Sequence, residues 1–330
     1  MYTTRPRQTQ PRGKSRGPTI HEPEGNDFGS LSEMPTLQAE CAKFAARCTI
    51  QRAKEGRMKT SVIVLVFVVL TAQLILGGQS AQLPPASDMK TLGLIGGTSW
   101  YSTIEYYRYI NQAVNEAYGN NTNPPLLLYN LNQRRIHELQ AKNQWDDIAA
   151  LLTEAAMRLR AGGAQAILFC ANAPHKVYAQ VARKTGIPIL HIADATGVAI
   201  RKRGLKKVGL IGTLYTMEDG FIADWLKEHY GIDTLVPNSA PARQELHRII
   251  QKELGMGIFK AESKKYVLQQ IEELRQRGAQ GIVLGSTEFP LIIKPADVAV
   301  PLFDTTLLHS QMAVDFILGK QGLAHVRTVQ

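Results

Sequence analysis

From residue 89 onward, short runs of consecutive apolar residues alternate with longer stretches whose apolar positions recur every three or four residues. Runs of four to six that are apolar throughout read as strands covered on both faces, and the longer stretches read as the helices that cover them. The pattern predicts strands at Thr91 to Ile95, Leu126 to Leu131, Ala166 to Phe169, Ile189 to Ile192, Val208 to Ile211, Gly281 to Leu284 and Val300 to Phe303. Strand alternating with helix implies a parallel sheet and an α/β fold.

The pattern also repeats. Leu92-Gly-Leu-Ile-Gly-Gly97 returns as Val208-Gly-Leu-Ile-Gly-Thr213, and Gly163-Ala-Gln-Ala-Ile-Leu168 returns as Gly278-Ala-Gln-Gly-Ile-Val283, at offsets of 116 and 115 residues. Ile187-Pro-Ile-Leu-His-Ile-Ala-Asp194 has a partner in Val300-Pro-Leu-Phe-Asp-Thr305. Ordered matches at nearly constant spacing indicate a duplicated unit. The expected architecture is two similar parallel-sheet α/β lobes related by a pseudo-twofold axis, with the active site in the cleft between them. The first lobe is placed at 89–190, completed by the C-terminal segment 304–330, and the second at 191–303.

The first 88 residues follow another pattern. Residues 1–57 begin with a stretch rich in Arg, Pro, Gly, Gln and Thr that cannot bury enough apolar surface to offset ordering, so they are expected to form a disordered basic extension. Ser61 to Leu76 is almost entirely apolar, with Lys59 before it and Gly78, Ser80 and Ala81 after it. Sixteen residues is short for a spanning helix, which needs about 20, and suits a signal-peptide core. Residues 58–80 are therefore expected to direct export to the periplasm or the exterior, with a membrane anchor as the alternative and a cytoplasmic protein if translation starts at Met89. Membrane contact is expected through residues 61–76 alone. Pro84-Pro85-Ala86-Ser87-Asp88 marks 81–88 as a linker.

Composition changes this picture little. A chain of 330 residues that is 44% hydrophobic and 20% charged can bury one or two ordinary cores. Its net charge of +10 is half concentrated before residue 61, where eleven Lys/Arg face six Asp/Glu. The rest is spread thinly, with no basic stripe interleaved with aromatics, which argues against nucleic-acid binding. Three cysteines are too few for a disulfide framework, and no His, Cys and Asp cluster has the spacing of metal ligands.

In parallel α/β sheets, ligands bind beyond the carboxyl ends of the strands, so the residues just after each repeated strand carry the candidate chemistry. Gly96-Gly97 lacks the G-x-G-x-x-G pattern of a dinucleotide turn. Its backbone amides, with Thr98 and Ser99, suit a small anion such as a carboxylate. Cys170 follows the strand ending at Phe169, with Asn172 and His175 close behind. A lone cysteine is by default a buried structural thiol, but one at a strand end followed by polar groups is a candidate nucleophile or base. Ser286 holds the related place in the second half, within one residue of register. His191, His175 and His309 are either orienting groups or hydrogen-bonded structural histidines, and Glu288 either orients Ser286 or caps the helix after it.

Taken together, Met89-Lys-Thr-Leu-Gly-Leu-Ile-Gly-Gly-Thr-Ser-Trp100, Cys170-Ala-Asn-Ala-Pro-His-Lys176, His191-Ile-Ala-Asp-Ala-Thr196, Gly212-Thr-Leu-Tyr-Thr-Met-Glu218, Gly285-Ser-Thr-Glu288 and Asp304-Thr-Thr-Leu-Leu-His309 resemble the aspartate/glutamate racemase family over about 230 residues. The resemblance implies racemisation of an acidic amino acid without metal or pyridoxal, two thiols on opposite faces of the α-carbon, and a homodimer. It maps the first thiol onto Cys170, with Asn172 as a substrate contact, and the second onto Ser286, a departure from the family. Ala173 departs too, standing where relatives often carry Thr. Thr213, Thr216 and Thr287 are left as hydroxyl donors, and one of Gln133, Arg134 and Arg135 is expected to select the substrate side chain. A one-thiol isomerase or decarboxylase and a non-catalytic amino-acid-binding protein are the competing readings.

Overall fold

The computed structural model describes residues 83–320. The expected disordered extension at 1–57 and apolar segment at 58–80 lie outside the described residues, as do residues 321–330. Among the described residues, no helix is long and apolar enough to cross a membrane.

Two parallel sheets of four strands each organise the chain. The first contains β1 (Leu92–Gly96), β2 (Leu126–Asn130), β3 (Ala166–Phe169) and β4 (Ile189–Leu190), in the order β2-β1-β3-β4. The second contains β5 (Lys207–Gly212), β6 (Asp233–Leu235), β7 (Ile282–Gly285) and β8 (Leu302–Asp304), in the order β6-β5-β7-β8. Each half therefore has the same strand order, as the repeats predict. Every pairing is parallel, with Leu94 opposite Leu128 and Leu168 in the first sheet and Gly212 opposite Gly285 in the second.

Three elements differ from the expected pattern for local reasons. The strand β6 was absent from it because Asp-Thr-Leu, on a half-exposed edge, forms no apolar run. The strand β4 stops at Leu190 because His191 leaves it to cap the helix that follows. The strand β8 begins at Leu302 because Pro301 has no N–H to offer a ladder, although its carbonyl accepts from Ile282 N at 2.8 Å.

Side-chain parity along β3 divides the first lobe into two cores. Ile167 and Phe169 face α3 (Trp145–Ala161) and α4 (Tyr178–Thr185), while Ala166, Leu168 and Cys170 face the other way. That second face is covered by α1 (Trp100–Tyr118) and by α11 (Thr305–Ile317). The helix α11 leaves β8 of the second sheet directly, yet Met312, Ala313, Phe316 and Ile317 join the core of the first. Each large apolar side chain so buried is worth about 1.5–3 kcal/mol relative to exposure. The first lobe's own strands thus depend on a helix supplied from beyond the second lobe.

One turn fixes the mouth of the first sheet. Gly97 has φ 79°, and a Cβ there would lie 2.0 Å from the Leu131 carbonyl oxygen. Only glycine lets the β1 and β2 tips approach this closely.

Candidate active site

A cleft opens where the carboxyl ends of the two sheets meet. The first lobe supplies Thr98, Ser99, Gln133, Ala171, Asn172 and Ala173 to its lining. The second supplies Thr213 and Thr216 after β5, together with Gly285, Ser286, Thr287 and Glu288 at the end of β7. Ten of the candidate residues from the sequence are thereby brought together; Cys170 and His191 are not among the lining.

The position of Cys170 follows from strand parity. Its N–H continues the β3 ladder, donating to the Ile95 carbonyl at 3.0 Å, and its side chain shares the core that contains Leu94, Tyr106, Leu168 and Leu190. It is fully buried, and that burial pushes the thiol well above the ordinary cysteine range, so the thiolate is suppressed. The residue that reaches the cleft is its neighbour, Ala171. The repeat offset of 115 residues agrees, since it carries Ala171 onto Ser286 and Cys170 onto Gly285. Cys170, expected from the resemblance as the first acid/base, therefore lies outside the cleft lining, and Ala171 stands in it instead. The first lobe presents a methyl group where the second presents a hydroxyl.

On the second lobe, Ser286 Oγ donates to Glu288 Oε2 at 2.6 Å, and Thr287 Oγ1 donates to the same oxygen at 3.0 Å. Ser99 Oγ, from the first lobe, reaches Glu288 Oε1 at 3.4 Å. The carboxylate can take a proton from Ser286 as that hydroxyl takes one from a substrate, the coupling a serine needs to act near neutral pH. Glu288 directly precedes the short helix Phe289–Ile292, but its side chain makes no cap there. Its carboxylate orients Ser286 instead.

Two buried polar atoms in the lining lack a partner among the described residues: Thr98 Oγ1 and Asn172 Oδ1. A buried polar group without a partner is costly, and one facing a cavity marks a place for ligand atoms. The Thr98 hydroxyl can donate to a carboxylate, and the Asn172 oxygen can accept from an ammonium. The Asn172 amide is held from its other end, Nδ2 donating to Thr305 Oγ1 at 3.1 Å, and Thr305 in turn donates to the Leu284 carbonyl at 2.9 Å.

Sequence reasoning missed His137, Gln140, Tyr215 and Gln251, which also line the cleft. None follows a repeated strand directly; His137 and Gln140 lie on α2 (Gln133–Ala141), where only helix phase decides which residues face inward. Burial lowers the pKa of His137 against the opposing pull of a hydrogen bond with the Thr98 backbone and the charge of Glu288. Of the three residues expected to select the side chain, only Gln133 reaches the cleft, while Arg134 points outward to pair with Glu138 at 3.1 Å and Arg135 is exposed.

The three other histidines named from the sequence are buried and structural. His191 Nδ1 accepts from Ala193 N at 3.2 Å, capping α5 (Ile192–Lys202), and its ring stacks on Trp225 at 3.8 Å with an interplanar angle of 6°. His175 Nδ1 lies 3.1 Å from the carbonyls of Ala171 and Asn172, and its Nε2 accepts from Ile192 N at 3.2 Å, which ties the turn carrying both residues to α5. His309 bridges the Tyr106 hydroxyl at 2.9 Å and the Leu190 carbonyl at 3.0 Å. Desolvation lowers the pKa of all three, that of His175 to about 4.

Paired parallel sheets of identical order, with a polar cleft at their shared strand ends, define a two-lobed α/β protein with a small-molecule site between its lobes. Residues 95–313 match the family model of Asp/Glu/hydantoin racemases. Among solved structures, a candidate Asp/Glu racemase from Yersinia pestis is 44% identical, superposes with a TM-score of 0.66, and is matched over 70% of this chain and 100% of its own. An aspartate racemase homologue from Pyrococcus horikoshii OT3 is 36% identical with a TM-score of 0.61, over 69% of this chain and 99% of its own. The aspartate racemase of Picrophilus torridus, at 18% identity and a TM-score of 0.55 over 72% of this chain and 98% of its own, shares the fold. This chain belongs to the Asp/Glu/hydantoin racemase family, whose membership carries amino-acid racemisation as its general activity.

Proposed function

We propose that the cleft binds the zwitterion of a small amino acid and exchanges its α-hydrogen through Ser286 and Glu288, from one face only. The α-carboxylate is received by the Thr98 hydroxyl and the α-ammonium by Asn172 Oδ1. As the Cα–H bond breaks, its proton passes to Ser286 Oγ while the Ser286 proton passes to Glu288 Oε2. The electron pair stays on the α-carbon and spreads into the carboxylate, whose growing charge the surrounding donors stabilise. Return of the proton along the same path restores the original configuration. Inversion needs a second donor on the opposite face, where Ala171 has none to give, so exchange with retention outruns racemisation.

The observation that carries this reading is the 2.6 Å hydrogen bond from Ser286 to Glu288 inside a cleft whose matching position on the other lobe is Ala171. Proton NMR in deuterated water tests it. Loss of the α-proton signal without loss of optical activity, abolished in Ser286→Ala, is the expected result. Inversion as fast as exchange contradicts the one-faced path. Binding with no exchange at all would instead support an amino-acid-binding protein that does not turn its ligand over.

A further inference from the structure

Among the described residues that line the cleft there is no lysine and no arginine, while Glu288 brings a carboxylate. Lys252 stands outside the lining and acts on His137 only at a distance. Burial disfavours the charged form of His137. An amino acid with an uncharged side chain enters such a site as a zwitterion of zero net charge. Aspartate or glutamate enters with a second carboxylate that meets no counter-charge and shares a partly dehydrated space with Glu288, where like charges repel more strongly than in water.

The groups present instead are amides and hydroxyls. Gln133, Gln140 and Gln251 line the cleft with Tyr215. Gln133 Oε1 is occupied by the Trp100 N–H at 3.0 Å, which leaves its Nε2 donors for a ligand oxygen. Planar amides and a phenol complement a side chain that both donates and accepts hydrogen bonds, and they leave no buried charge unpaired.

Resting on the function proposed above, we propose that the substrate is an amino acid with an uncharged, hydrogen-bonding side chain of the amide or hydroxyl class, in place of aspartate or glutamate. Calorimetric titration of the full chain at pH 7.5 with asparagine, glutamine, serine, aspartate, glutamate and lysine, each as both enantiomers, tests this directly. The best amide or hydroxyl ligand is expected to bind at least tenfold more tightly than either dicarboxylate. The γ-methyl ester of glutamate, which removes the charge and keeps the chain length, is expected to bind more tightly than glutamate itself. In Gln251→Arg the preference should move toward glutamate by tenfold or more, and Gln133→Arg gives a second version of the same change should the first variant fold poorly. Aspartate or glutamate binding as tightly as the neutral ligands, or lysine binding best, overturns the inference. If those dicarboxylates also exchange their α-hydrogen, the one-faced reaction survives while the substrate class falls. Failure of every amino acid to bind overturns both.

Discussion

A single residue of register separates a reactive thiol from an inert one in this chain. Cys170 stands in the family-like string and invites a catalytic role, yet the alternation of β3 turns it into the apolar core and turns Ala171 to the cleft. The sequence carries the clue, because the offset that relates the repeats pairs Ser286 with residue 171, while the thiol stands one position earlier. Replacing Cys170 by Ala should leave α-hydrogen exchange within about twofold of the parent and cost about 1 kcal/mol of stability, the small loss expected for trimming a buried side chain. Thiol reagents should modify it only on unfolding. Ser286→Ala should lower the exchange rate by about 10²- to 10⁴-fold, the usual contribution of a positioned proton-transfer group. Conversely, Ala171→Cys supplies a thiol on the empty face, and polarimetry should then detect inversion approaching the exchange rate. No gain in inversion would argue against Ala171 facing the substrate from that side.

At the scale of elements, apolar runs announced the doubly covered strands, whereas the edge strand β6 stayed hidden because half-exposed edges need no such run. Helix faces in the cleft were illegible as well: His137, Gln140 and Gln251 are placed by the phase of their helices against the sheets, which local sequence does not set. The β1–β2 mouth rests on Gly97, and an added methyl would meet both an unfavourable φ and the Leu131 carbonyl. Gly97→Ala should therefore destabilise the protein by about 3 kcal/mol and weaken ligand binding, since Thr98 and Ser99 follow directly. A denaturant melt and a titration on the same variant would check both effects. Unchanged stability would mean that this turn relaxes freely.

Across the whole molecule, the duplication was readable from end to end, but the way the halves are joined was not. Because α11 leaves the second sheet and completes the core of the first, the lobes should melt in one transition, with calorimetric and van't Hoff enthalpies equal; two separated transitions would contradict that coupling. Acid should trigger the melt. The native pKa values of His175, His191 and His309 lie below the ordinary value of 6.5, so the unfolded chain binds protons that the folded one refuses. Their stabilising effect is complete above pH 6.5 and fades as pH falls toward 4, His175 alone accounting for up to about 3 kcal/mol. A melting temperature flat between pH 7 and pH 4 would show that these imidazoles charge without unfolding. The stack of His191 on Trp225 gives the event an optical signature. An imidazolium quenches an adjacent indole far more than a neutral imidazole does, so tryptophan fluorescence should change together with the acid melt, as His191 takes its proton.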